Sequence, residues 1–311
     1  MFNNELWNNP GGSTDTSATI IMAGGSTTIN VIQKILSSSA ANAVDFGDLV
    51  QGRYAFVGAG NATIGLFANG NTGSYINNID KIVIASSGNA SDFGDTTVAR
   101  GSTTGGTHNN TRACWGPGFS GSYQNVIDYS TFASAANAID FGDATTAYTN
   151  RGQQGGSNGT RGLFGHGSNG VGNQQSIDKI NIASTGNAAD FGDTGTATAV
   201  SSGVSNETKY CVTGGWVNGS TFVDAIVQCN ISSDGNCTSF GDITSGGSYG
   251  GLGGSSKVKG IVAGGQVSGW SYTNAISQFN FASSGDTTDF GDLTNSPASG
   301  AGLSNNDGGT S

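Results

Sequence analysis

Residues Ile79-Asp80-Lys81-Ile82-Val83-Ile84-Ala85-Ser86-Ser87-Gly88-Asn89-Ala90, followed by Asp92-Phe93-Gly94-Asp95, return almost unchanged as Ile177-Asp178-Lys179-Ile180-Asn181-Ile182-Ala183-Ser184-Thr185-Gly186-Asn187-Ala188 and Asp190-Phe191-Gly192-Asp193. The closing tetrapeptide occurs six times, starting at Asp45, Asp92, Asp140, Asp190, Ser239 and Asp289, in steps of 47, 48, 50, 49 and 50 residues. A near-constant period of this size marks a repeat architecture, in which each unit buries its apolar faces against its neighbours.

Each unit reads as four short strands. An apolar run that ends near glycine comes first, as in Ile20-Ile21-Met22-Ala23-Gly24-Gly25, and is assigned to the inner strand. The alternating Ile-Asp-Lys-Ile type follows, a third strand leads into an Asp-Phe-Gly-Asp turn, and a polar Ser/Thr/Gly run comes last. Four strands per unit describe one blade, and radial stacking of blades protects sheet edges. The fold class is therefore all-β: a six-bladed β-propeller built from six repeats of about 47–50 residues, over residues 17–311, with an N-terminal arm over 1–16. With 54 Gly and only 35% hydrophobic residues the chain approaches a disordered composition, but its apolar residues fall in short runs that a disordered chain does not need.

In the tetrapeptide, Phe46, Phe93, Phe141, Phe191, Phe240 and Phe290 are expected to wedge between blades as a packing ring, with the Gly at positive φ and the Asp side chains bonded to turn backbone. Calcium is the competing reading. It is disfavoured because each copy offers two carboxylates at most and Ser239 breaks the pattern, so no metal and no cofactor is expected.

A net charge of -10, from 21 acidic against 11 basic residues, disfavours nucleic acid and anionic lipid as partners. No window holds the roughly 18 apolar residues of a membrane span, and Met1-Phe2-Asn3-Asn4-Glu5-Leu6-Trp7 lacks the pattern of a secretory signal, so a soluble chain without membrane insertion is expected.

Catalytic constellations find little support. His108 and His166 lie in glycine-rich contexts without a metal-spaced partner and read as solvated or turn residues. Asp80, Asp128, Asp178 and Asp224 are read as matching positions in four units, which points to structure and away from a catalytic pair. The run Gly250-Gly251-Leu252-Gly253-Gly254 lacks the Lys-Ser/Thr of a phosphate loop and reads as turns, and the sequons at Asn61, Asn158, Asn206 and Asn218 are discounted. Cys114 and Cys211 read as buried thiols. Cys229 and Cys237 flank a hairpin centred near Ser233 that brings them within bridging reach, with the bridge itself left open.

What varies between units is the loop after the first apolar strand. It carries Tyr75 in the second unit, Phe119 and Tyr123 in the third, Trp216 and Phe222 in the fifth, and Trp270 and Tyr272 in the sixth; the first and fourth have none. Aromatics among Asn, Ser and Gly on one loop face suit stacking on sugar rings or anchoring a protein partner, and packing between blades is the alternative.

The double glycines Gly24-Gly25, Gly214-Gly215 and Gly264-Gly265 after apolar strands resemble those of kelch-type propellers, although the usual kelch Tyr and Trp positions are not kept. The stretch best seen at 79–95 and 177–193 resembles repeats in virion proteins of tailed bacteriophages, especially cyanophages and other marine phages. That resemblance implies a structural protein of the virion, assembled in the host cytoplasm: a tail-fibre or adhesin module that binds a host surface glycan or protein, or else a decoration or scaffold element. A glycan-cleaving enzyme is a further, weaker alternative, and no enzyme activity is expected. Phe2, Leu6 and Trp7 in the arm are expected to anchor it to other virion subunits.

Overall fold

The computed structural model describes residues 17–150, 155–165, 167–217, 221–244 and 249–305. The arm with Phe2, Leu6 and Trp7, together with His166 and Asn218, lies outside the described residues. Those described form no helix; they form six four-stranded antiparallel sheets arranged as the blades of a β-propeller.

From axis to rim, the first strands are Val57–Gly60, Gly106–His108, Gly155–Ser157, Ser202–Ser205, Leu252–Ser255 and Ala301–Ser304. The apolar runs come second: Thr19–Ala23, Ile64–Ala68, Arg112–Trp115, Arg161–Gly165, Lys209–Val217 and Lys259–Ala263. The third strands are Val31–Leu36, Asn78–Val83, Val126–Thr131, Ser176–Asn181, Thr221–Asn230 and Ala275–Asn280, and the outer ones are Val44–Asp48, Ser91–Asp95, Ile139–Asp143, Ala189–Asp193, Thr238–Asp242 and Thr288–Asp292. The ring closes by pairing the C-terminal Ala301–Ser304 with the N-terminal Thr19–Ala23, Ala301 opposite Ala23 and Ser304 opposite Ile20, so blade 1 is built from both ends of the propeller.

The expected order of strands is thus corrected by one place. The polar glycine run, including Gly253 and Gly254, is the innermost strand of the following blade and not a turn or a last strand. The reason is steric. A Cβ on Gly106 would lie 2.2 Å from the Gly58 oxygen, and one on Gly302 2.1 Å from the Gly253 oxygen, so strands with bulkier residues could not converge this closely. The channel they enclose has a volume of about 40 Å3, enough for a few water molecules. His108, expected in solvent or a turn, is buried at the end of one of these strands.

The tetrapeptide is likewise a strand and not a turn. Ile79 pairs with Gly94 and Asp80 with Asp92, which leaves Phe93 as the extra residue of a β-bulge; the same skip occurs at the other five copies. A bulge redirects the extra side chain. Each of the six Phe is 2–3% exposed and packs in a cluster that straddles two blades, as Phe46 does with Ile82 and Ile84, and Phe141 with Ile180 and Ile182.

Among the described residues the Asp carboxylates of the tetrapeptide make no bond to the turn backbone. Instead the main-chain amide of the last Asp donates to an Asn side chain of the next blade, at Asp95–Asn137, Asp143–Asn187, Asp193–Asn236 and Asp292–Asn42, with Asp286 serving Asp242. Main-chain bonds from Gly186 to the Phe141 oxygen and from Ala188 to the Asp143 oxygen, both 2.7 Å, complete one such clamp.

Asp80, Asp128 and Asp178 are equivalent and buried, but Asp224 is not their counterpart: Val227 occupies that place, and Asp224 stands where Asn77 and Asn125 do, exposed. Asp80 meets the buried Arg53 at 3.1 Å and Asp128 the buried Arg100 at 2.8 Å, each Arg reaching in from the link between two blades. Burial pushes the Asp80 carboxyl above the usual carboxylate range, opposed by the Arg53 guanidinium, and burial likewise lowers Arg53. Cys229 and Cys237 are joined in a disulfide, with Cα atoms 4.4 Å apart, while Cys114 and Cys211 are free and buried.

The sequons at Asn61, Asn158 and Asn206 have a structural role. Each Asn opens the hairpin between first and second strands, and its Oδ1 accepts from the amides two and three residues on, such as Thr63 at 3.0 Å and Ile64 at 2.8 Å.

Candidate functional site

One face of the propeller carries both the loops that follow the second strands and the links that enter each blade. At the axis on this face the links are tied together by a closed circuit. The Ala55 amide donates to the Ser299 oxygen, Ser102 to Ala55, Asn150 to Ser102, Gly250 to Val200 and Ser299 to Gly250, at 2.6 to 2.8 Å. Between Asn150 and Val200 the circuit changes chemistry: the Val200 amide donates to the Asn150 side-chain Oδ1 and not to a main-chain carbonyl. Ala55, Ser102, Val200 and Ser299 hold φ between 51° and 61°, a left-handed conformation rarely occupied by non-glycine residues and maintained here by the ring.

The loops are small hairpins laid on the links. Tyr54 bridges Asn71, Gly101 bridges Phe119, Thr149 bridges Ser168, Ala199 bridges Trp216 and Tyr249 bridges Gln266. In blade 6 the hairpin is Gln266–Val267 with Ser271–Tyr272. On these hairpins, with Tyr249 of the link into blade 6, the aromatic side chains form two three-ring groups. Tyr75 meets Phe119 edge-on at 5.8 Å and Phe119 meets Tyr123 at 5.2 Å; Phe222, Tyr249 and Trp270 meet pairwise at 5.0 to 5.8 Å. Edge-to-face contacts of this kind fix ring orientation.

Between the groups lies blade 4, whose loop Asn169-Gly170-Val171-Gly172 has no aromatic residue. Its small residues leave a depression of about 380 Å3, bounded by Tyr123 on one side, Trp216 and Tyr249 on the other, and floored by Asn150 and Val200, where the axial circuit changes chemistry. The loop and Tyr123 are matched, since a Cβ on Gly170 would come 2.7 Å from the ring. Asn173 donates to the Trp216 carbonyl at 2.6 Å, and the Trp216 amide donates to Ala199 at 2.8 Å, which fixes the tryptophan backbone. Among the described residues that line the depression none is charged; Thr149, Ser168 and the two Asn supply its polar side chains.

Of the seven aromatics singled out from sequence, Tyr123 and Trp216 border the depression. Tyr75 and Phe119 stand behind Tyr123, Phe222 and Trp270 behind Tyr249, and Tyr272 lies apart, with Trp270 52% and Tyr272 48% exposed. Packing and exposure are therefore combined on this face. Tyr249 was missed because it lies in a link and not in a loop; its match to Tyr54, both bridging the loop of their own blade, is the signal that would have found it. Asn150 and Asn173 carried no sequence signal at all. Among the described residues no group of three His, Cys, Asp or Glu side chains is placed to hold a metal ion.

No protein-family model matches the sequence, and no curated protein matches it. Among solved structures the chain is similar to one titled "Structure of YjhT", with a TM-score of 0.64 over 81% of this chain and 87% of that one. The two are 12% identical, so the likeness is one of fold alone.

Proposed function

We propose that this chain is a non-catalytic virion module of the tail-fibre or adhesin kind, which binds a host surface ligand through the loop face. The observation that carries the reading is the pair of rigid aromatic groups around a depression on that face with no charged side chain among the described residues of its lining, with Trp270 and Tyr272 half exposed beside them. Rigid aromatic anchors offer large contact area at low entropic cost, and aromatic side chains are enriched in recognition surfaces. The virion assignment rests on the resemblance of residues 79–95 and 177–193 to tailed-phage repeats, and places the partners among other virion subunits and the host surface.

Fluorescently labelled chain should adhere to some strains in a panel of cultured cyanobacteria and other marine bacteria. The double variant Trp270→Ala/Tyr272→Ala, which removes exposed rings, should adhere less. Absence of adherence across the panel, together with incorporation into particles, would instead support a decoration protein with no ligand of its own.

A further inference from the structure

We infer that the depression over blade 4 is a binding site for an uncharged saccharide of one to three rings. The inference rests on the surface-binding reading above and deepens it. Three features select this ligand. The walls are aromatic, with Tyr123 facing Trp216 and Tyr249 across the opening, and such faces stack on the C–H faces of pyranose rings. The polar side chains of the lining are amides and hydroxyls: Asn150 and Asn173 each donate one amide N–H to a carbonyl, of Ser201 and Trp216, and keep a second. Thr149 donates to the Ser102 carbonyl and keeps acceptor capacity, and Ser168 accepts from the Gly170 amide and keeps its O–H, so that capacity to pair with sugar hydroxyls remains. The lining has no charged side chain among the described residues, and the chain carries a net charge of -10. Among the described residues an anionic sugar or a nucleotide would find no cation here and, given the net charge, would meet a repulsive field, and a cationic ligand would find no carboxylate.

Size and position agree. A volume of about 380 Å3 lies at the small-molecule end of pocket sizes and is far too confined for a standard protein interface. Blade 4 shares with blade 1 the lack of a loop aromatic between aromatic neighbours, but the axial circuit passes through a side chain, that of Asn150, only beneath blade 4. A repeat protein acquires a unique pocket where one repeat departs from the pattern, and this is such a place.

Calorimetry of the purified chain with maltotriose, cellotriose and chitotriose, beside a galacturonate trimer, tests the assignment. At least one neutral trisaccharide should bind at millimolar concentration or below, and the galacturonate trimer should not. Trp216→Ala should weaken that binding by about tenfold or more. Because this variant removes a half-buried ring, Trp216→Phe is measured too: it should fold, keep affinity within about threefold and lose the fluorescence change that accompanies binding. Binding of the galacturonate trimer alone, or neutral binding unaltered in Trp216→Ala, overturns the assignment. Adherence to cells that no neutral trisaccharide competes for sinks the saccharide and leaves the surface-binding reading standing, pointing to a protein ligand. No binding to cells or to sugars removes both.

Discussion

The main-chain amide of Asp48, the last residue of an outer strand, donates to Oδ1 of Asn89 on the neighbouring blade at 3.0 Å. The two residues are 41 apart in sequence, yet the same contact is made around the ring, closing from Asp292 to Asn42 across 250 residues. Each blade thus offers an amide on one side and a side-chain oxygen on the other. The outer rim is tied by a repeated hydrogen bond that needs only an acceptor at the Asn position, which explains why Asp286 serves equally well.

Asn187→Ala removes the acceptor for the Asp143 amide and should cost about 1 kcal/mol by urea unfolding, whereas Asn187→Asp keeps an oxygen and should stay near the parent. Gly142→Ala should be worse, at about 2 kcal/mol or more, because φ is 141° and the new Cβ would sit 2.5 Å from the Gly186 oxygen. Equal losses in the Asp and Ala variants would show that the acceptor is not what matters.

Arg53→Met should destabilise by about 3 to 5 kcal/mol at neutral pH, since it strands the buried Asp80 carboxylate. The loss should depend on pH. Burial already raises the Asp80 pKa, and without the guanidinium it rises further above the unfolded value, so the folded variant binds more protons than the unfolded chain. Its stability therefore falls as pH rises through that window. Unfolding measured at pH 5 and pH 8 should show the larger deficit relative to the parent at pH 8; a deficit independent of pH contradicts the assignment.

The free thiols should be silent in the native protein. Burial pushes Cys114 and Cys211 up to about 12, so roughly one part in 10⁵ is thiolate at pH 7. Iodoacetamide should label neither in the native state and both after unfolding, with Cys229 and Cys237 becoming reactive only after reduction as well. Native labelling at Cys114 or Cys211 would mean that the second strands open far more readily than their burial allows.

The six-fold repeat, the all-β class and the buried ring of Phe46, Phe93, Phe141, Phe191, Phe240 and Phe290 were legible because they follow from spacing and from local apolar patterning. The order of strands was not. Val57-Gly58-Ala59-Gly60 looks like a weak, peripheral strand, since its glycines bury no side chain, and it is central for that same reason. The misassigned Asp224 shows the related difficulty. An acidic residue near an Ile looks equivalent in every repeat, and only the pairing of Ile226 with Gly241 reveals that Val227 holds the place of Asp80.

The candidate site was half legible. Aromatic loop residues such as Tyr123 and Trp216 stand out against a background of Gly, Ser and Asn, so sequence marks the face on which they emerge. Which of them meet is decided by blade geometry. Tyr123 and Trp216 are 93 residues apart in the chain and border one depression, because the propeller places the loops of blades 3 and 5 on either side of a blade whose own loop is small. Periodicity along the chain determines the number of blades and the residues that fill them; closure of the ring, convergence of the glycine strands and the depression above Asn150 arise from packing between segments distant in sequence, where steric fit at the axis and not local preference selects the arrangement.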